Sequence, residues 1–162
     1  MAYISPGPGT SSQVVLKIEK DGTSGWTTAI TVPGLQDITV NAANDVFTWS
    51  QLDTSAKLQV ATTSTNSLSM NLVVDDATFF GTLVTAAQTN TVAEQGVLGC
   101  SRNKTKIKFS LKMVENSSAD RYISGVGYIT GLAPTVSADS PVWVTPITIT
   151  VSGEYTVAAT EA

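Results

Sequence analysis

RYISGVGYITG, residues 121–131, sets three glycines among two tyrosines and a run of β-branched residues. Such a cluster has two readings. A dinucleotide-binding loop has the spacing G-x-G-x-x-G, follows a strand and opens a helix. Here the spacing is Gly125-x-Gly127-x-x-x-Gly131, and the residues beyond it, Leu132-Ala133-Pro134, open no helix. Tyr122, Ser124, Val126, Tyr128 and Thr130 alternate along one face, while Ile123, Gly125, Gly127 and Ile129 hold the other. Period-two alternation is the mark of a strand. Glycine inside a strand marks a bulge, a bend or a close backbone approach. The stretch is therefore predicted as a strand, and the chain as a β protein rather than a nucleotide-binding α/β enzyme.

The composition narrows the chemistry. The 162 residues are 42% hydrophobic and only 14% charged, enough for one domain with a sizeable core. There is no histidine, which removes Ser-His-Asp and Cys-His catalysis and makes a zinc site improbable. Cys100 is the single cysteine, so no disulfide forms within the chain. It reads as a small structural thiol rather than a nucleophile. The net charge of −4 gives no overall basic footprint for nucleic acid. Met1 runs into Ala2-Tyr3-Ile4-Ser5-Pro6 with no basic segment and apolar run, so no secretory signal is read and cytosolic synthesis is expected. No stretch approaches the ~20 apolar residues of a membrane helix, and no membrane partner is expected.

Alternation recurs outward from the glycine stretch. Ile107, Phe109, Leu111 and Met113 form one face of a strand over Thr105–Met113, with Lys106, Lys108, Ser110 and Lys112 on the other. Val14, Leu16 and Ile18 mark a first strand, followed by an Asp21-Gly22 turn. Further strands are predicted over Trp26–Val32, closed by Pro33-Gly34, and over Leu35–Val40 and Ser67–Val74. Glu115–Asp120 is predicted as a turn, Pro134–Pro141 as a loop, and Val142–Val157 as one or two closing strands with a break, bulge or edge position at Pro146. One helix is expected after an N-cap at Asp75 or Asp76, with Phe79, Leu83 and Ala87 at helical spacing through to about Asn90. Between these elements, residues 41–66 form a long polar excursion bearing Phe47, Trp49, Leu52, Leu58 and Val60. A loop of that length is usually functional or disordered, so the stretch is read as a long excursion with some extended structure, whose apolar side chains point to a partner surface.

Each remaining cluster has an ordinary explanation. Six of the nine basic residues lie between Arg102 and Arg121, but the period of two in Lys106, Lys108 and Lys112 makes them a strand's outer face, solvated or paired with carboxylates on adjacent strands. Asp75-Asp76 before a helix is a cap and a dipole contact rather than an acid/base pair. Trp26, Trp49 and Trp143 are scattered, so packing or interface roles outweigh a sugar platform. No catalytic, cofactor or metal-binding set emerges, and an enzyme is not expected.

The C-terminal half resembles the major tail tube proteins of long-tailed bacteriophages. The likeness rests on Ser124-Gly-Val-Gly-Tyr-Ile-Thr130, a polar loop, then Ile147-Thr-Ile-Thr-Val-Ser-Gly153, with the early strands, long polar loop, helix and basic strand in matching order. The resemblance implies a mainly β subunit, an antiparallel β-sandwich or partial barrel with one flanking α-helix, in a single domain over residues 1–162. It implies six subunits to a ring, rings stacked into a hollow tube, and a barrel wall to which Tyr122, Ser124, Gly125, Val126, Gly127 and Tyr128 contribute. Phe47, Trp49, Leu52, Leu58 and Val60 would then lie in an assembly loop at 41–66. The implied partners are further copies of the chain and other tail proteins, such as tape measure, terminator and baseplate or tip. DNA would pass through the lumen without specific binding, and the implied location is the virion tail. The alternative is a β-sandwich binding module for glycan or cell surface, as a virion decoration or pilin-like subunit.

Overall fold

A computed structural model describes residues 14–32, 35–52, 56–114 and 120–161. The strands are β1 (Val15–Lys20), β2 (Ile30–Thr31), β3 (Leu35–Ser50), β4 (Lys57–Val73), β5 (Ile107–Val114), β6 (Asp120–Leu132), β7 (Thr135–Ser137), β8 (Ser140–Val151) and β9 (Thr156–Ala158). Two helices, α1 (Asp76–Phe80) and α2 (Val92–Arg102), stand between β4 and β5. The strands form one antiparallel sheet in the order β2-β1-β5-β6-β8-β4-β3, with β7 on β8 and β9 on β6. The expected mainly β, antiparallel class is the one that forms, as a single sheet not closed into a barrel.

The alternation read from the sequence becomes the core. Leu16 and Ile18 of β1 stand beside Leu111 and Phe109 of β5, and these join Leu68, Met70 and Leu72 of β4 and Ile147 and Ile149 of β8. All are essentially out of water, the condition under which burial contributes about 1.5–3 kcal/mol for each large side chain. Phe79 of α1 and Val92, Val97 and Cys100 of α2 close the same cluster.

The helical region departs from expectation. Asp75 does cap a helix, its carboxylate accepting from the Thr78 amide at 3.0 Å and the Thr78 hydroxyl at 2.9 Å. The helix stops at Gly81, however, at φ 75°, rather than running to Asn90. A second helix, α2, opens on a capping box in which the Thr91 hydroxyl accepts from the Glu94 amide and Glu94 accepts from the Thr91 amide. Gly96 interrupts α2 at φ 66°. A Cβ on Gly81 would sit 2.4 Å from the Gly96 nitrogen, and one on Gly96 would sit 2.3 Å from the Gly81 nitrogen. The two helices cross backbone to backbone at this glycine pair, which is why there are two helices rather than one.

Other limits also shift. Of the strand predicted over Trp26–Val32, only Ile30–Thr31 is strand. The loop predicted over 134–141 contains β7 and the start of β8. β8 runs through Pro146 without a break, opposite Asn71 of β4. On its other side β6 pairs only as far as Leu132 with Ile147, so the proline, which has no N–H, stands where a neighbour has just turned away. The predicted turn at 115–119 and the Pro33-Gly34 step lie outside the described residues.

Candidate assembly surfaces

Within the excursion the described residues 41–52 and 56–66 form a β-hairpin arm, more regular than the partly extended loop expected. β3 and β4 stay paired from Leu35 with Leu72 out to Ser50 with Lys57. β8 accompanies β4 only from Val73 back to Ser67. Beyond Ser67 the two strands continue alone, past the end of the sheet's third partner. A register shift falls between Asn44 and Val46, and there Thr63 donates to the Asp45 carboxylate at 2.8 Å and Ser64 to the Asn44 side chain at 2.8 Å. These polar side chains serve the bulge, which explains why the segment reads as polar in sequence yet holds extended structure.

Pairing sorts the arm's apolar residues. Phe47 lies opposite Val60 and Trp49 opposite Leu58, so the four share one face. Phe47 and Trp49 stack with ring centroids 5.9 Å apart. Thr48 opposite Gln59 and Ser50 opposite Lys57 occupy the other face. Phe47 is 59% exposed, Val60 48% and Leu52, beyond the last strand pair, fully exposed. Four of the five residues singled out in the sequence therefore converge on one apolar face, and Leu52 stands apart near its end.

Two further exposed apolar sets were not read from the sequence as surfaces. Phe80, Leu83, Val84 and Leu98 face solvent on the helical region, and Val136, Val142 and Trp143 on the β7–β8 pair. Sequence reasoning placed Leu83 in a helical stripe and Trp143 among scattered packing or interface tryptophans, neither as part of an exposed set.

The glycine strand is β6, and its glycines mark close approach. A Cβ on Gly125 would come within 2.9 Å of the Phe109 ring, and one on Gly127 within 2.2 Å of the Thr150 carbonyl oxygen. A register shift falls between Ile129 and Gly131. Tyr122, Ser124 and Val126 share the face turned away from Phe109 with Lys112, Ser110 and Lys108, their partners on β5, and on it Ser110, expected to be outward, and Ser124 are buried. Tyr128, the next outward residue, is partly exposed.

The lysine row is neutralised within the chain. Lys106 pairs with Asp21 at 2.9 Å, Lys108 with Glu19 at 3.1 Å and Lys112 with Asp120 at 3.0 Å. Lys108 also donates to the Thr23 carbonyl at 2.8 Å and to the Gly25 carbonyl, and lies 4.4 Å from the centre of the Trp26 ring. Glu19, wholly buried, accepts from the Thr28 hydroxyl at 2.7 Å and the Thr28 amide at 2.8 Å. Burial pushes its carboxyl upward, but these bonds and the Lys108 ammonium together hold it below its ordinary value. Lys106 and Lys112 are raised above theirs, each chiefly by the hydrogen bond to its carboxylate. Three positive charges in a row are thus met by three negative ones, a poor grip for phosphates.

Cys100 lies in the core, its thiol pushed up to about 12 by burial. Among the described residues no group of acids and cysteines is placed to hold a metal ion, and no helix is long and apolar enough to cross a membrane.

With this geometry in view, the likeness to solved structures is specific in shape and faint in sequence. No protein-family model and no curated relative matches the chain. A chain of the native gene transfer agent virion superposes with a TM-score of 0.62 at 10% identity, over 92% of this chain and 98% of the other. A chain of the empty gene transfer agent tail, a structure with C6 symmetry, gives 0.60 at 14% identity over 88% and 95%. The SPP1 tail tube gives 0.61 at 10% identity over 88% and 75%. The fold is that of tail tube proteins. A subunit of the anti-feeding prophage baseplate structure shares it, with a TM-score of 0.56 at 8% identity over 95% of this chain and 97% of the other.

Proposed function

We propose that this chain is a structural subunit of a virion tail tube. Six copies associate into a ring, and rings stack into a hollow tube through which the genome leaves the particle. The observation that carries this reading is the arm: a two-stranded hairpin extended beyond its sheet, with Phe47, Trp49, Leu58 and Val60 on one face and water over much of it. An exposed apolar face of this kind marks an interaction site, and a hairpin leaving the body reaches a neighbour rather than folding back. A head-to-tail contact between one surface and a different surface on the next copy propagates as a ring or a filament. The sheet supplies a second reason, because β2 and β3 end it with open edges among the described residues, and joining sheets around a ring covers such edges.

The tube reading also accounts for the charge. A net charge of −4 with the lysine row internally paired lets DNA pass without adhering. Other tail components, at the baseplate or tip and at the terminating end, would meet the first and last rings, with a tape measure inside. The glycan-module alternative gains little: Trp26 lies beneath Lys108, Trp49 is on the arm and Trp143 is on β8, so the tryptophans belong to three separate elements.

Electron microscopy of the purified protein should show rings or hollow tubes. Deleting residues 47–60 should leave a folded chain that forms neither. Normal tubes from that deletion variant would sink the assignment of the arm.

A further inference from the structure

Where the arm leaves the sheet, β4 loses its neighbour. β8 pairs with β4 from Val73 only as far as Ser67, opposite Thr150, and then ends at Val151. Its chain does not turn away into solvent. The Ser152 amide donates to the Val126 carbonyl at 2.7 Å, Gly153 follows at φ 104°, and β9 rejoins β6 one short step further along, with Thr156 opposite Ser124. β8 and β9 are in effect one strand along β6, interrupted by the bulge at 152–155.

That bulge reaches the base of the arm at three points. The Tyr155 hydroxyl lies 2.9 Å from the Asn41 carbonyl oxygen on β3 and 2.8 Å from the Ser67 carbonyl oxygen on β4. Asn41 and Ser67 are the directly paired residues at which the arm begins. One hydroxyl thus lies within hydrogen-bonding reach of a carbonyl on each of the two arm strands. From the arm side, the Asn66 amide nitrogen donates to the Gly153 carbonyl at 3.0 Å. The Tyr155 ring is itself held, edge-on to Phe109 with centroids 6.3 Å apart at 78°. Phe109 has room for its ring because Gly125 lacks a Cβ.

We infer that Tyr155 is the pin that fixes the direction of the arm relative to the body. It bolts both arm strands at their root to the bulge in the β8–β9 line, and through Phe109 to the glycine strand. A two-stranded ribbon without a third strand twists and swings freely unless its root is held. Tyr155 is a positioning residue for the arm, and its consequence for tube growth rests on the assembly role proposed above.

The test separates the two claims. Spin labels at Gln59→Cys on the arm's polar face and Arg102→Cys at the end of α2 report the arm's direction in the full-length chain. Cys100, buried and with its thiol at about 12, does not compete for label. In the otherwise native chain one narrow set of distances is expected. Tyr155→Phe keeps the ring against Phe109 and removes only the hydroxyl. The fraction of molecules outside the main distance should then rise about fivefold, the population factor of one hydrogen bond. Asn66→Ala should move it in the same direction. An unchanged distribution in both variants overturns the pin, whatever the tubes do. A loosened arm in Tyr155→Phe that still builds tubes at the native rate upholds the pin and instead counts against the arm as the assembly element.

Discussion

β3 and β4 are each one strand with two lives. Their inner halves, Leu35–Val40 and Ser67–Val73, lie in the sheet, with β4 between β8 and β3, and Leu68, Met70 and Leu72 of β4 are buried. Their outer halves carry the same kind of alternation in Phe47, Trp49, Leu58 and Val60, yet remain exposed to different degrees. The local pairing is the same in both. What differs is whether the chain itself supplies the covering surface. An apolar strand face is completed either by the protein's own core or by another molecule, and in the assembly proposed above the arm is the half completed from outside.

This contrast can be broken by substitution. The largest stability effect should come from the inner half: Leu68→Ala removes a wholly buried side chain and should cost about 2–5 kcal/mol, read as a lower denaturation midpoint of the free subunit. A loss below about 0.5 kcal/mol would mean that the inner half is no better covered than the arm.

A smaller loss is expected at the polar anchor of the body. Glu19→Gln removes the charged partner of Lys108, which keeps its carbonyl bonds, and should cost about 1.5–3 kcal/mol near neutral pH. Because the folded state holds the Glu19 carboxyl below its ordinary value, its contribution is complete above the unfolded carboxylate range and lost as pH falls through the folded value. Thermal unfolding across an acid series should therefore show native and Glu19→Gln proteins converging below about pH 4. A gap that widens on acidification would reverse the sign and refute the anchor.

The smallest stability effect belongs to the arm. Replacing Phe47 and Trp49 by alanine should change free-subunit stability by less than about 0.5 kcal/mol each, while raising the protein concentration needed for tube growth at least about tenfold, since buried aromatics dominate interfaces. Equal damage to folding and assembly would erase the distinction between the two halves.

Much of this was legible before any coordinates. β1, β5 and β6 follow from alternation alone, because their inward residues have no second period to confuse them. The Asp75 cap was readable, and so was the signal for α2, since Thr91-x-x-Glu94 is a capping box in plain sight. It went unused, because the helical spacing of Phe79, Leu83 and Ala87 continues across Gly81 and was read as one helix to about Asn90. That spacing reports an apolar face without saying whose core it faces, and Phe80, Leu83 and Val84 turn out to be exposed. The arm was located as a region and read as a long loop with some extended structure, not as a continuous strand pair. Its Ser, Thr and Asn side chains serve a bulge and cross-strand bonds, so their polarity masks a strand pair.

The amino-acid sequence by itself determined the class of the molecule: a β chain without histidine, with an alternating core, and with an apolar-bearing excursion that its own core does not claim. Those properties are local, set by side-chain chemistry and by the period of two along a strand. Only the tertiary structure decided that the excursion is a hairpin, that its apolar residues share one face, and that Tyr155, more than a hundred residues from Asn41 in the chain, holds its root. Register and long-range hydrogen bonds depend on which strands become neighbours. That choice is made by the packing of the whole sheet, not by any segment of it.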